Sequence, residues 1–221
     1  MKTIASYIDH TILAPDATSN QIVNLCNEAR RYHFHAVCVN SHFVPLVRKE
    51  LASSDVKIAC VIGFPLGASS TEAKVCEAVS ACREGAHELD MVINIGALKE
   101  GADDVVLADI RAVADAAKSF GSTVKVILET GLLDDEQVVR AYSLAERAGA
   151  AFVKTSTGFS SGGATLHHVQ LMKESVGSGV QVKASGGIRD LVTAKAMIAA
   201  GADRIGTSSG VAIVEEEASD E

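Results

Sequence analysis

The chain has 221 residues, 48% apolar but only 4% aromatic and without Trp, and its 20 basic and 28 acidic residues leave a net charge of −8. That length suits one domain with a large core, which must be built from Ala, Val, Ile and Leu. The acidic balance argues against nucleic acid or an anionic membrane surface as partner, and no apolar run reaches the roughly 18 residues of a membrane span.

The predicted elements alternate from the start. A strand over 7–11 carries Asp9, His10 and Thr11, and Asp9 comes too early for a secretory signal peptide. A helical pattern over 19–33 leads to a strand over 36–40, where Cys38 shares a face with Ala36 and Asn40. Cys38 is one of five cysteines, with Cys26, Cys60, Cys76 and Cys82; the odd number and the lack of Cys-x-x-Cys imply reduced thiols in a cytoplasmic protein, not disulfides or a structural zinc site. A helix over 42–52, a strand over 57–62 and a helix over 71–84 follow. In the strand over 88–93, Glu88 and Asp90 lie opposite Leu89, Met91 and Ile93. After a helix over 103–119, the strand over 124–129 sets Lys125, Ile127 and Glu129 against Val124, Val126 and Leu128. Helices over 134–147, 165–175 and 190–200 have Asp134, Thr165 and Asp190 as N-caps. Between and after them lie strands over 152–156, 181–185 and 204–208, the first two with Lys154 and Lys183 on their polar faces. Gly85, Gly149 and Gly201 each stand just before a strand and end the preceding helix in the left-handed conformation.

Strict alternation implies a parallel sheet, and eight units of about 28 residues match a lean (β/α)8 TIM barrel. No GxGxxG follows the first strand, which weighs against an open dinucleotide-binding sheet. The expected organisation is a single barrel domain over 1–221, with an acidic end from about 212 that frays. In a barrel the helices cover the apolar strand faces, so the charged residues must point inward, where they either pair or do chemistry.

Lys154 and Lys183 sit late in successive strands, at the rim where barrel active sites form. Burial and mutual repulsion both lower the pKa of an amine, and a neutral amine attacks carbonyls to give a Schiff base. The opposing reading pairs each lysine structurally with Glu88, Asp90 or Glu129. Asp90 can hold a lysine, order a water or relay a proton, and Asp9 is a similar candidate. Cys38 reads first as a small buried hydrophobe, and Lys125 with Glu88 as an ion pair at the closed end. The Gly-rich turns Ser185-Gly186-Gly187 and Gly206-Thr207-Ser208-Ser209-Gly210 follow strands seven and eight, where such barrels grip phosphate, and Thr155 to Gly158 can add donors. The substrate-contact candidates are therefore Asp9, Thr11, Cys38, Thr155, Gly158, Gly186, Gly187, Gly206, Ser208 and Ser209. The histidines offer no convincing metal set; His167 and His168 read as solvent-facing, and no cofactor is expected. A phosphosugar isomerase or epimerase with Asp90 as base also fits the phosphate grip, but leaves the lysine pair idle.

Seven segments from the first strand to the last, among them Glu88-Leu89-Asp90-Met91-Val92, Lys154-Thr155-Ser156-Thr157-Gly158 and Lys183-Ala184-Ser185-Gly186-Gly187-Ile188-Arg189, resemble the deoxyribose-phosphate aldolase family of class I aldolases. The resemblance implies reversible cleavage of 2-deoxy-D-ribose 5-phosphate to D-glyceraldehyde 3-phosphate and acetaldehyde. It makes Lys154 the Schiff-base lysine, Asp90 the proton donor and acceptor working through a water, and Lys183 the cation that tunes Lys154 and shares proton transfer. It implies no metal, a phosphosugar as the small-molecule partner, and a dimer or tetramer.

Overall fold

Eight short strands run in parallel in chain order: β1 (Ile8–Thr11), β2 (Ala36–Val39), β3 (Lys57–Ile62), β4 (Glu88–Val92), β5 (Thr123–Ile127), β6 (Phe152–Lys154), β7 (Gln181–Ser185) and β8 (Arg204–Thr207). The pairing of β1 with β8 closes the sheet into a barrel, with Asp9 opposite Gly206. The computed structural model describes residues 3–175 and 179–220. Helices α1 (Ser19–Arg31), α2 (Val44–Glu50), α3 (Thr71–Glu84), α4 (Ile95–Lys99), α5 (Asp103–Lys118), α6 (Asp135–Arg147), α7 (Leu166–Glu174), α8 (Leu191–Ala199) and α9 (Gly210–Asp220) are the connections and the final element. Among the described residues no helix is long and apolar enough to cross a membrane.

The expected architecture is present, and its local signals act as read. Asp134, Thr165 and Asp190 accept the backbone N–H of Gln137, His168 and Thr193 at 2.8, 3.1 and 2.8 Å. Each satisfies a donor that the first helical turn leaves free. Gly85, Gly149 and Gly201 have φ of 113°, 88° and 112°, turning each helix into the strand that follows. Three features differ. The short α4 falls between the strand predicted over 88–93 and the helix predicted over 103–119, started by Asn94, whose side chain accepts the Ala97 N–H. The acidic end expected to fray from about 212 is helical from Gly210 to Asp220, and Glu221 lies outside the described residues. Strand β5 stops at Ile127 rather than 129, because Glu129 turns to φ 58°.

The alternation of strand faces separates two environments. Leu89, Met91, Val124, Val126, Val153 and Val182 point outward and pack with Ile22, Leu25, Ile110, Val113, Val138 and Met172 of the helices. Each such side chain, fully buried, contributes about 1.5–3 kcal/mol. Inside the barrel Cys38, Ala59 and Val61 join Leu13 in a small separate apolar patch. The interior also holds a charged cluster: Asp9, Asp90, Lys125 and Lys183 are fully buried, and Glu88, Lys154 and Arg204 nearly so. The fold thus holds ionisable groups in a setting where each must have a partner.

Candidate active site

Asp90 of β4 is the hub of the interior. Its Oδ1 accepts from Lys125 of β5 at 2.9 Å, and its Oδ2 accepts from both Lys154 of β6 at 2.9 Å and Lys183 of β7 at 2.8 Å. The parallel register explains the convergence, since Asp90 stands opposite Lys125 and Lys154 opposite Lys183. One layer toward the closed end, Lys125 also meets Glu88 at 2.6 Å. The expected Lys125–Glu88 pair is there, but Lys125 additionally reaches up to Asp90. Arg204 of β8 binds Glu88 at 3.1 Å and donates to Asp9 of β1, and Asp9 Oδ2 lies 2.6 Å from Lys183.

The three carboxylates Asp9, Glu88 and Asp90 face four cations, Lys125, Lys154, Lys183 and Arg204. Loss of one proton would leave the cluster neutral. Lys154 is the cation least tied down: it pairs with Asp90 alone, whereas Lys183 pairs with two carboxylates and Lys125 with three among the described residues. The fields agree. Burial would push Asp90 up, but Lys125, Lys154 and Lys183 hold its carboxyl well below the usual carboxylate range. Burial would strip the proton from Lys183, yet Asp9 and Asp90 raise it above an ordinary lysine. Repulsion between the lysines is therefore not the field that decides Lys183; Asp9, and after it Asp90, fix it as the ammonium.

Around this centre the other candidates divide. Cys38 sits on the inner wall with its Sγ 4.0 Å from Asp90 Oδ2, and burial, followed by Asp90, pushes its thiol up. Thr11 is half-buried and donates to the Asp9 carbonyl at 2.8 Å. Thr155 turns its hydroxyl to the backbone of Ser185, donating to O and accepting from N at 3.0 Å. It ties the end of β6 to β7 and so fixes Lys154. Gly206 leaves room for Lys183: a Cβ there would lie 3.0 Å from its Cε and 2.9 Å from Ser185 Cβ. Gly158, Gly186 and Gly187 have φ of 83°, 89° and 81°, and a Cβ on Gly186 would stand 3.1 Å from Gly163 Cα. The turns after β6 and β7 thus touch through bare backbone. Ser208 is exposed beyond β8, and Ser209 N donates to Thr207 Oγ1 at 2.9 Å just before α9.

Sequence reasoning missed Arg204, though its alternation with Gly206 puts it on the inner face. Glu129, weighed as a lysine partner, instead accepts the hydroxyl of Thr157, and its N–H at 3.3 Å, from its left-handed backbone position. His167, read without an acid partner, lies 2.9 Å from Asp135.

The charge cluster makes folding sensitive to acid. Asp9, Glu88 and Asp90 all have folded-state carboxyls lowered against burial by the cations around them. Their stabilisation is complete above the unfolded carboxylate range near pH 4 and is lost as pH falls toward the folded values. The denaturation midpoint in urea should accordingly drop between pH 7 and pH 3. Equal midpoints would mean that the cluster contributes no net pairing energy.

A family model described as DeoC/LacD family aldolase matches residues 3–216. A deoxyribose-phosphate aldolase of Geobacillus sp. (strain WCH70) is 58% identical over 212 residues, covering 96% of this chain and 95% of the relative. Among solved structures, the aldolase QR15 superposes with a TM-score of 0.94 at 44% identity, over 99% of this chain and 97% of its own. A tetrameric deoxyribose phosphate aldolase from Aeropyrum pernix gives 0.92 at 37% identity, over 99% and 92%.

Proposed function

The chain belongs to the DeoC/LacD family of aldolases, and from that premise we propose that it cleaves 2-deoxy-D-ribose 5-phosphate reversibly to D-glyceraldehyde 3-phosphate and acetaldehyde through an imine on Lys154. The observation that carries the reading is the sharing of one buried carboxylate oxygen, Asp90 Oδ2, by the amines of Lys154 and Lys183.

Lys154 Nζ, the amine with a single carboxylate partner, adds to the C1 aldehyde of the open-chain sugar. Lys183 stands beside it as a fixed ammonium and supplies the proton with which the C1 oxygen leaves as water. The resulting iminium draws the electron pair of the C2–C3 bond, which breaks as the 3-hydroxyl gives up its proton to the Asp90–water relay. Glyceraldehyde 3-phosphate departs, and an enamine remains on Lys154. Protonation at C2 and hydrolysis then return the amine and release acetaldehyde. The positive charge of the iminium arises where Asp90 already accepts a hydrogen bond, so the site is organised for it beforehand. The turns carrying Gly158, Gly186 and Gly187, together with Ser208 and Ser209 after β8, receive the phosphate, with backbone N–H groups and the start of α9 as donors; Gly206 lies within β8 and keeps room for Lys183. Asp9, Thr11 and Cys38 form the wall opposite. An isomerase using Asp90 as its base accounts less well for the interior, because it leaves idle the two lysine amines that share Asp90 Oδ2.

In the same reading the enzyme works in the cytoplasm as a dimer or tetramer; exposed apolar side chains such as Val105, Val139, Leu166 and Val192 offer surface for self-association. The function is tested by incubating the protein with acetaldehyde or deoxyribose phosphate, reducing with borohydride and mapping the adduct by mass spectrometry. A two-carbon increment on Lys154 is expected. No adduct, or an adduct confined to Lys183, refutes the assignment.

A further inference from the structure

A second cluster of ligating side chains lies outside the barrel, where α6 and α7 begin. Asp135 opens α6, and His167 and His168 stand in the first turn of α7. The two helices pack against each other. His167 Nε2 lies 2.9 Å from both carboxylate oxygens of Asp135, and one ligand atom from each of Asp135, His167 and His168 falls within 4.8 Å of the others. Asp135 and His167 are exposed and His168 is half-buried. His168 Nδ1 is shielded from solvent and has no hydrogen-bond partner among the described residues. A shielded imidazole nitrogen without a partner is a group in want of a ligand.

We propose that Asp135, His167 and His168 form a surface site for a divalent transition-metal ion such as zinc, cobalt or nickel. Two imidazole nitrogens and one carboxylate oxygen suit these borderline cations, whereas calcium and magnesium prefer all-oxygen shells. With metal–ligand bonds near 2.1 Å, tetrahedral donors stand about 3.4 Å apart. Two helix N-termini repel a cation, but Asp134, Asp135 and Glu136 place three successive acids there to offset them. The bound ion would link α6 and α7, the helices before and after β6, the strand that carries Lys154.

The test uses the full chain, stripped with a chelator and titrated with Zn²⁺ or Co²⁺ alone. Wild type should bind one ion per chain, and its melting temperature should rise by roughly 5–10 °C at metal a hundredfold above Kd. The bound Co²⁺ should show visible d–d bands without thiolate charge transfer in the near ultraviolet. His167→Ala, His168→Ala and Asp135→Asn should each weaken binding at least about tenfold without changing aldol cleavage in metal-free buffer. Cys76→Ser, which removes the exposed thiol, should bind as wild type does. The proposal fails if no ion binds, if the His167→Ala/His168→Ala variant binds as tightly as wild type, or if a thiolate band marks the ligand as cysteine.

Discussion

Lys154→Arg is expected to lower kcat/KM for cleavage by at least on the order of 10⁴-fold, the scale on which loss of a covalent nucleophile is felt. Arginine keeps the positive charge that Asp90 Oδ2 meets at 2.9 Å, so the central pairing survives. What it lacks is an amine that can give up its proton and condense with an aldehyde. The substitution therefore separates chemistry from folding. Its urea midpoint should stay close to that of wild type while the borohydride-trapped adduct disappears. Retention of both activity and adduct would move the imine to Lys183, the other amine on Asp90 Oδ2. Loss of activity together with a collapsed midpoint would instead show that the longer guanidinium does not fit, and Lys154→Met then tests the chemistry without added bulk.

The barrel and its lysines were legible in the sequence for a definite reason. Alternation along a strand has a period of two, so Leu89 and Met91 cannot face the helices without turning Glu88 and Asp90 inward. The same rule delivers Lys125, Lys154 and Lys183. What it does not deliver is who meets whom across the barrel. That Asp90 would take three ammoniums depends on register and on the stagger of closure, which no single strand encodes. For this reason repulsion stands out when the lysines are read alone, whereas the carboxylates Asp9 and Asp90 outweigh it at Lys183. Glu129 shows the second limit: five residues of alternation predict its direction, but one left-handed residue sends the side chain to Thr157 instead. Asp135 and His167, 32 positions apart, show the third, since helix packing alone brings them together.

Asp90→Asn should be costly twice over. Activity should fall about 10²- to 10⁴-fold, the worth of a positioned proton carrier. Stability should fall by about 3–5 kcal/mol, because removing one member of a buried ionic cluster strands the others. Asparagine matches the shape of aspartate but offers one acceptor oxygen, and turns an NH2 toward ammoniums that also only donate. Lys125 at 2.9 Å and Lys183 at 2.8 Å would both lose a charged acceptor. The deficit should depend on pH in a stated direction. In wild type Lys183 is held above its ordinary range, so its stabilisation is full below the unfolded lysine pKa near 10.4 and fades as pH rises through the folded value. In the variant burial acts on the buried ammoniums with less opposition, so rising pH relieves the variant by letting one of them lose its proton, while wild type at pH 9.5 still lies below 10.4 and keeps its Lys183 stabilisation. Urea midpoints measured at pH 7 and pH 9.5 should therefore converge. Parallel or diverging midpoints would show that the ammoniums find another counter-charge, most directly Glu88 and Asp9, and that Asp90 is a proton carrier without being the electrostatic centre of the barrel.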